Sequence, residues 1–290
     1  MKENPTFNIY CKYPIHHIGL FPSGKFIIAS RDLKIYDREY NCIEEIYSGE
    51  KKEFHQIEII DENNFIVAYS SSILFFSSID NKFNYKQSVN TIGLDEVMKI
   101  IYRPDKIYIA VISGEVNLIG KNEEGEYEIK KRIYTDSSTY SILLCENHNL
   151  LLIGERDGIT CININDNHNK TCLIPSPCIG RNALQKIDDD TIITGGDFYR
   201  VLYIVNIKNK QIISNIQNKT STWAILVLNN YIITGGLDKK IRIFEKNTWV
   251  LSEHIIQIHS NEIKGFIKFK DGKIGTYSLD GHLYIFENLI

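Results

Sequence analysis

The chain has 290 residues, a formal net charge of −3 and 24% charged residues, so it lacks the excess of positive charge expected of a general nucleic-acid or anionic-membrane surface. No apolar run follows Met1 to Pro5, and none reaches the roughly 18 residues of a membrane span, so neither a signal peptide nor a transmembrane helix is predicted. The six cysteines show no paired spacing, and we expect them to be reduced thiols in a cytoplasmic protein.

The first predicted element is a strand over Thr6 to Tyr13, in which Phe7, Ile9 and Cys11 alternate with more polar residues. Alternation with a period of two is the pattern of a strand with two different faces. No earlier strand is predicted with which it could pair, so its partner is expected elsewhere in the chain.

A short strand-like unit then recurs through the rest of the chain. It is clearest in Tyr231 to Glu245, where two strands flank a turn over residues 237–240. The units begin 39, 42, 44, 41, 40 and 42 residues apart, which fits the roughly 40–45 residues of a four-stranded propeller blade better than the roughly 50 of a kelch repeat. The seven units are Phe26–Asp32, Phe65–Ser71, Ile107–Ser113, Leu151–Asp157, Ile192–Phe198, Ile232–Asp238 and Ile274–Asp280.

Each unit lies within a larger pattern of four strands. A polar turn precedes it, such as Pro22–Gly24 or Asp188–Asp190, and an apolar strand such as Trp223–Leu228 precedes that turn. A second turn and a fourth strand follow, such as Gln211–Ile216. The sequence therefore predicts an all-β fold built from antiparallel four-stranded sheets.

The two ends of the chain complement each other. The seventh repeat stops after its third strand, His282 to Phe286, and lacks a fourth. We therefore predict that the N-terminal strand completes the last sheet, because ring closure removes the exposed edges of an open array. The prediction is a single domain over residues 1–290, a closed seven-bladed propeller.

The last repeat carries the clearest resemblance to a known family. His259, Thr276 to Asp280 and Leu283 to Phe286 resemble the pattern of WD40-repeat propellers. In that family a loop His, a strand Ser or Thr, a turn Asp and a Trp form a hydrogen-bonded tetrad. The resemblance assigns these roles to His259, to Thr276 or Ser278, and to Asp280, with Phe286 at the Trp position, where it cannot donate a hydrogen bond.

The other repeats depart further from the WD40 pattern. The turn Asp recurs at Asp32, Asp157 and Asp238, but the chain has no Gly-His and no Trp-Asp pair. Two Gly pairs, Gly195-Gly196 and Gly235-Gly236, resemble kelch repeats, although five of the seven repeats lack such a pair.

The resemblance also implies a function. WD40 propellers usually bind proteins on the face around the central channel, through residues before the turn Asp and at the start of the first strand. We expect a non-enzymatic scaffold that binds proteins or peptides without a cofactor or metal, acts as a monomer within a complex, and binds neither nucleic acid nor membrane. The positions that match are Arg31, Phe54, Tyr140, Arg156, Trp223, Leu237 and Leu279, and Tyr199 and Arg200 are added from the atypical turn of the fifth repeat.

Alternative chemistry has weaker support. Asp188–Asp190 could bind a cation, but it lies where the other repeats have a polar hairpin turn, which favours an ordinary turn. Cys161, His168, Cys172 and Cys178 could suggest a zinc site, but they lack the paired spacing of structural zinc ligands. His16-His17, with Glu44-Glu45 and Ser23, suggests a hydrolase, but no nucleophile elbow is present. Two other functions stay open: a constitutive subunit of a large assembly, and an enzyme or small-molecule-binding propeller that uses the central channel.

Overall fold

The computed structural model describes residues 4–47, 53–91, 95–166, 170–174, 182–195 and 200–289. These residues form seven four-stranded antiparallel sheets, which confirms the predicted seven-bladed propeller. Each sheet is a meander of strands that follow one another in the chain, except at the point where the ring closes.

The strands are named here in chain order, and each blade is given from its inner to its outer strand. Blade 1 contains β2 (His17–Leu20), β3 (Phe26–Ala29), β4 (Asp32–Tyr36) and β5 (Cys42–Tyr47). Blade 2 contains β6 (Phe54–Ile59), β7 (Asn64–Tyr69), β8 (Ser72–Ile79) and β9 (Lys82–Asn90). Blade 3 contains β10 (Val97–Arg103), β11 (Lys106–Val111), β12 (Glu115–Lys121) and β13 (Tyr127–Tyr134).

Blades 4 to 7 follow the same order, with a 3-10 turn at Glu146–His148 in blade 4. Their strands are β14 (Thr139–Cys145), β15 (Leu150–Glu155), β16 (Ile159–Asn163) and β17 (Lys170–Ile174); β18 (Leu184–Lys186), β19 (Thr191–Gly195), β20 (Val201–Asn206) and β21 (Gln211–Gln217); β22 (Thr222–Val227), β23 (Tyr231–Gly236), β24 (Ile241–Glu245) and β25 (Leu251–Ile256); β26 (Ile263–Lys268), β27 (Ile274–Ser278), β28 (His282–Phe286) and β1 (Phe7–Tyr10).

The ring closes as predicted, through the N-terminal strand. β1 is the outer strand of blade 7 and pairs antiparallel with β28, with Phe7 opposite Ile285 and Tyr10 opposite His282. The strand ends at Tyr10, three residues before the predicted Tyr13, because the chain must then cross from the outer edge of blade 7 to the inner strand of blade 1. Ile15 N–H donates to Ser278 O (3.2 Å) along this crossing.

The core lies between neighbouring blades. The second strand of each blade is buried on both faces, as in the fully buried β3, because a blade on either side covers the sheet. Around the axis, the inner strands contact one another in a complete ring from β2 through β26 and back to β2. Ile-rich strands suit this arrangement, since β-branched side chains pack well on a pleated surface.

The outer edges differ from the inner ones. Six outer strands carry a β-bulge opposite the third strand of their blade, whereas β1 pairs with β28 without one. Bulges twist an edge away from regular pairing and so discourage edge-to-edge association.

The two ends of the disc are named by their connections. The loop face contains the connections from each blade to the next and those between second and third strands; the turn face contains the other connections. Within the described residues, no helix is long and apolar enough to cross a membrane.

Candidate functional site

The innermost strands share a feature at the loop face. In five blades a bulge between the first and second strands leaves one residue of the inner strand without a partner. A bulge re-aims the side chain of the extra residue. The five residues are His55, Met98, Tyr140, Trp223 and Lys264. Met98 is buried in the core between blades 3 and 4, and the other four lie at the mouth of the channel.

Hydrogen bonds also cross the channel next to this ring. Lys99 Nζ in blade 3 donates to Asn182 Oδ1 (3.0 Å), and Asn182 Nδ2 donates to Lys264 O in blade 7 (3.1 Å). Asn182 precedes the inner strand of blade 5, so both bonds pass over an intervening blade. At this level the channel is bridged by the protein's own polar groups.

Trp223 and Lys264 pack against each other at the mouth. Lys264 Nζ lies 3.5 Å from the centroid of the Trp223 ring and 2.9 Å from Glu262 Oε2. A cation over an aromatic face is stabilised by the ring quadrupole. The pair therefore fixes a large aromatic side chain in one position.

Two histidines form a second cluster at the mouth, between blades 1 and 3. His16 Nε2 lies 2.8 Å from Glu53 Oε2, and the His16 and His55 ring centroids are 4.9 Å apart. His55 Nδ1 in turn lies 3.1 Å from Glu96 Oε1. Each imidazole thus lies beside one carboxylate.

Arg31, one of the predicted contact residues, lies against Tyr13. Its Nη1 donates to the Tyr13 hydroxyl (3.2 Å), and the guanidinium carbon is 4.9 Å from the ring centroid. Arg31 Nε is buried without a hydrogen-bond partner among the described residues. Lys12 Nζ approaches the same ring at 5.6 Å, so this sector is cationic and aromatic.

The charges on the loop face are unevenly paired. Several carboxylates form an ion pair, such as Glu53–His16, Glu262–Lys264 and Asp238–Arg242, whereas Asp32, Glu155 and Asp157 form none with any described residue. A larger set of basic residues also forms no ion pair with any described residue: Lys12, Arg31, Arg200, Lys219, Lys239 and Lys240.

The tetrad-like residues of blade 7 contact one another through His259. His259 Nδ1 lies 3.0 Å from Asp280 Oδ2, and its Nε2 lies 3.3 Å from Thr276 Oγ1, whereas Ser278 Oγ accepts from Asp280 N–H. Burial alone would raise the pKa of Asp280, but the hydrogen bonds and charge of His259 outweigh it and lower the pKa to about 2.

The fourth position differs from the family pattern. Phe286 is buried opposite Ile274, and the ring nearest to His259 is that of Tyr284, at 4.9 Å between centroids. The network therefore consists of His259, Thr276 and Asp280, without a fourth hydrogen-bonding side chain from the third strand.

The other turn aspartates have different surroundings. Asp238 pairs with Arg242 rather than with a loop histidine. Asp157 is exposed, and the buried Glu155 accepts instead from Thr160 Oγ1 and from Ser137 N–H (3.2 Å). Asp32 is buried, and desolvation followed by the charge of Glu45 raises its pKa.

The remaining predicted contact residues are placed unequally. Phe54 is only 2% exposed and belongs to the core, because the bulge presents its neighbour His55 instead. Arg156, Arg200 and Leu237 are exposed, Tyr140, Trp223 and Leu279 are partly buried, and Tyr199 lies outside the described residues. Sequence reasoning missed His55, Lys264 and Asn182.

The alternative clusters from the sequence do not assemble. Ser23 lies in a turn on the turn face and Glu44 accepts from Phe83 N–H, both away from His16. Asp190 pairs with His148, and Asp188 accepts from Asp190 N–H, as in a hydrogen-bonded turn.

The zinc hypothesis can be followed only in part. Cys161 is buried in β16, and His168 and Cys178 lie outside the described residues. Among the described residues, no group of three or more His, Cys, Asp or Glu side chains could hold a metal ion.

The closed ring of seven sheets defines the class of the protein as a seven-bladed β-propeller. No protein-family model matches the chain, and no curated protein matches it.

Proposed function

We propose that the protein is a non-enzymatic interaction scaffold that binds a partner protein or peptide on the loop face at the mouth of the channel. The observation that carries this proposal is the ring of bulge residues, which presents His55, Tyr140, Trp223 and Lys264 around one opening. Aromatic and basic residues of this kind dominate the energetics of protein interfaces.

The unpaired charges suggest the chemistry of the partner. Arg31 has a buried Nε without a partner, and Arg200 and Lys239 form no ion pair with any described residue. Acidic side chains would complement this surface, and charge complementarity favours both encounter and specificity. The partner segment is therefore proposed to be acidic.

The rigidity of the face also supports scaffolding. Trp223 is held by Lys264, and Arg31 is held by Tyr13, so both are ordered before a partner arrives. Side chains ordered in advance lose less entropy on binding. The bonds of Asn182 across the channel support a surface site over a ligand deep in the channel.

We also propose that the chain is a divergent WD40-type propeller that acts in the cytoplasm. The first part is supported by the His259–Asp280 and His259–Thr276 contacts and by ring closure through β1. The second is supported by the free thiols of Cys11, Cys42 and Cys145, which suit a reducing compartment.

The test compares two charge-reversal pairs. Arg31→Glu with Arg200→Glu changes the loop face; Arg38→Glu with Lys208→Glu changes the net charge equally on the turn face. Tagged proteins are expressed in the native organism, and co-purifying proteins are quantified by mass spectrometry. We expect the first pair to lose the main partner and the second to retain it, with a thermal melt of each protein showing that both pairs are folded at the temperature of the purification.

Equal recovery by both pairs would contradict the choice of face. Recovery at a fixed stoichiometry would indicate a constitutive subunit, whereas substoichiometric recovery would indicate transient scaffolding. Both results are compatible with a binding function on this face.

A further inference from the structure

A cavity of about 280 Å³ lies on the turn face, where the first and last blades meet. We call it the seam cavity; its floor is formed by Phe26, Tyr40 and Phe269, and its mouth by Arg38, Lys270 and Asp271. It is far from the loop face, so what it binds is independent of the proposed scaffold function.

The floor of the seam cavity is aromatic on three sides. The Phe269 ring centroid is 5.4 Å from that of Phe26 and 5.9 Å from that of Tyr40, in both cases edge-on. Phe26 and Phe269 are buried, so the floor is fixed by the core of the seam. A planar apolar group fits such a surface through edge-to-face or offset contacts.

Aromatic rings attract cations, and here the side chain of Lys273 already occupies that position. Lys273 Nζ lies 5.4 Å from the Tyr40 ring centroid and 5.3 Å from that of Phe7. It also forms an ion pair with Asp271 (2.9 Å), so the carboxylate at the mouth is neutralised. The cavity therefore does not select a positively charged ligand.

Arg38 is the free charge at the mouth. It is exposed and forms neither an ion pair nor a side-chain hydrogen bond with any described residue. A Cβ atom on Gly24 would lie 3.0 Å from Arg38 Nε, so the absence of a side chain at Gly24, whose φ is +96°, leaves room for the arginine. Lys270 Nζ donates to Pro22 O and adds a second positive charge.

We propose that the seam cavity binds a small aromatic carboxylate, with the ring against Tyr40 and the accessible edge of Phe269, and the carboxylate on Arg38. Arg binds a carboxylate through two parallel hydrogen bonds, which fixes its orientation. The volume lies just below the roughly 300–1,000 Å³ of sites for drug-sized ligands, so one ring with a short acid chain is the expected size.

The test is saturation-transfer NMR with 3-phenylpropionate, compared with its neutral analogue 3-phenylpropanamide. Arg38→Gln should weaken binding of the acid about tenfold, because a hydrogen bond to a charged group is lost. Lys208→Gln removes an exposed lysine from the turn face of blade 5, away from the seam cavity, and should leave the affinity unchanged. Lys270→Gln should weaken binding less than Arg38→Gln.

Each of the following results would overturn the proposal. The amide could bind as tightly as the acid, Arg38→Gln could leave the affinity unchanged, or neither probe could bind to the wild-type protein. Binding of a peptide that ends in a Phe carboxylate, without binding of 3-phenylpropionate, would also overturn it and would assign the cavity to a chain terminus.

Discussion

Asp280→Asn should measure how strongly the His259 network braces blade 7. Asp280 accepts hydrogen bonds from His259 Nδ1 (3.0 Å), Ser260 N–H (2.8 Å) and His282 N–H (3.0 Å), with its side chain only 4% exposed. The asparagine has nearly the same shape but no charge and one acceptor oxygen, so the substitution tests the charge rather than the packing.

The lowered pKa of Asp280 sets the magnitude of the effect. Its pKa falls from an ordinary value of 3.8 to about 2, and each unit is worth about 1.4 kcal/mol, so the charge stabilises the fold by about 2 kcal/mol at neutral pH. Since the folded pKa is the lower one, this stabilisation is complete above the unfolded pKa and is lost as the pH falls through about 2.

The assay is urea denaturation of both proteins at pH 6 and pH 3. We expect the variant to lose about 2 kcal/mol at pH 6, and the difference to be about 1 kcal/mol smaller at pH 3. Asp157→Asn changes the exposed turn aspartate at the matching position of blade 4 and should change stability by no more than about 0.5 kcal/mol. A difference between wild type and Asp280→Asn that stays constant with pH would refute the reasoning.

Two further substitutions test the ring and its packing. Ile9→Asp places a charge where β1 packs against the cluster around Leu283, and should lower the free energy of unfolding by about 2 kcal/mol or more in a thermal or urea melt. The control Asn8→Asp changes an exposed neighbour and should be nearly neutral. Equal effects of the two substitutions would argue against closure through β1. Gly236→Ala should lower the free energy of unfolding by at least about 2 kcal/mol, because a Cβ would lie 1.8 Å from Ser221 O. The control is Gly120→Ala, whose Cβ would meet only the flexible Lys130 side chain. A similar loss of stability in both variants would contradict the close approach at Gly236.

The strands were predictable because their pattern repeats and has a clear physical cause. Each second strand, such as β3 or β23, is an apolar run that must be buried on both faces, and polar turns bound it. The closing strand was predictable because the seventh repeat lacked a fourth strand while Phe7 to Tyr10 had no other partner.

The site was less predictable, for reasons that lie in the backbone and in distant contacts. A bulge displaces the exposed position by one residue, so Phe54 was named where His55 stands, and neither composition nor alternation signals the displacement. Asn182 acquires its role from Lys99 and Lys264, which lie more than 80 positions away in the chain. In blade 4 the buried carboxylate that accepts the hydrogen bond of the preceding loop is Glu155, two residues before the aspartate that the repeat pattern indicates.

Binding of partners to the loop face is tested by lysine cross-linking of the complex purified from the native organism, followed by mass spectrometry. We expect intermolecular cross-links to map to Lys12, Lys219 and Lys239 and to depend on Arg31 and Arg200. Cross-links confined to Lys208, Lys210 and Lys270 on the turn face would contradict it.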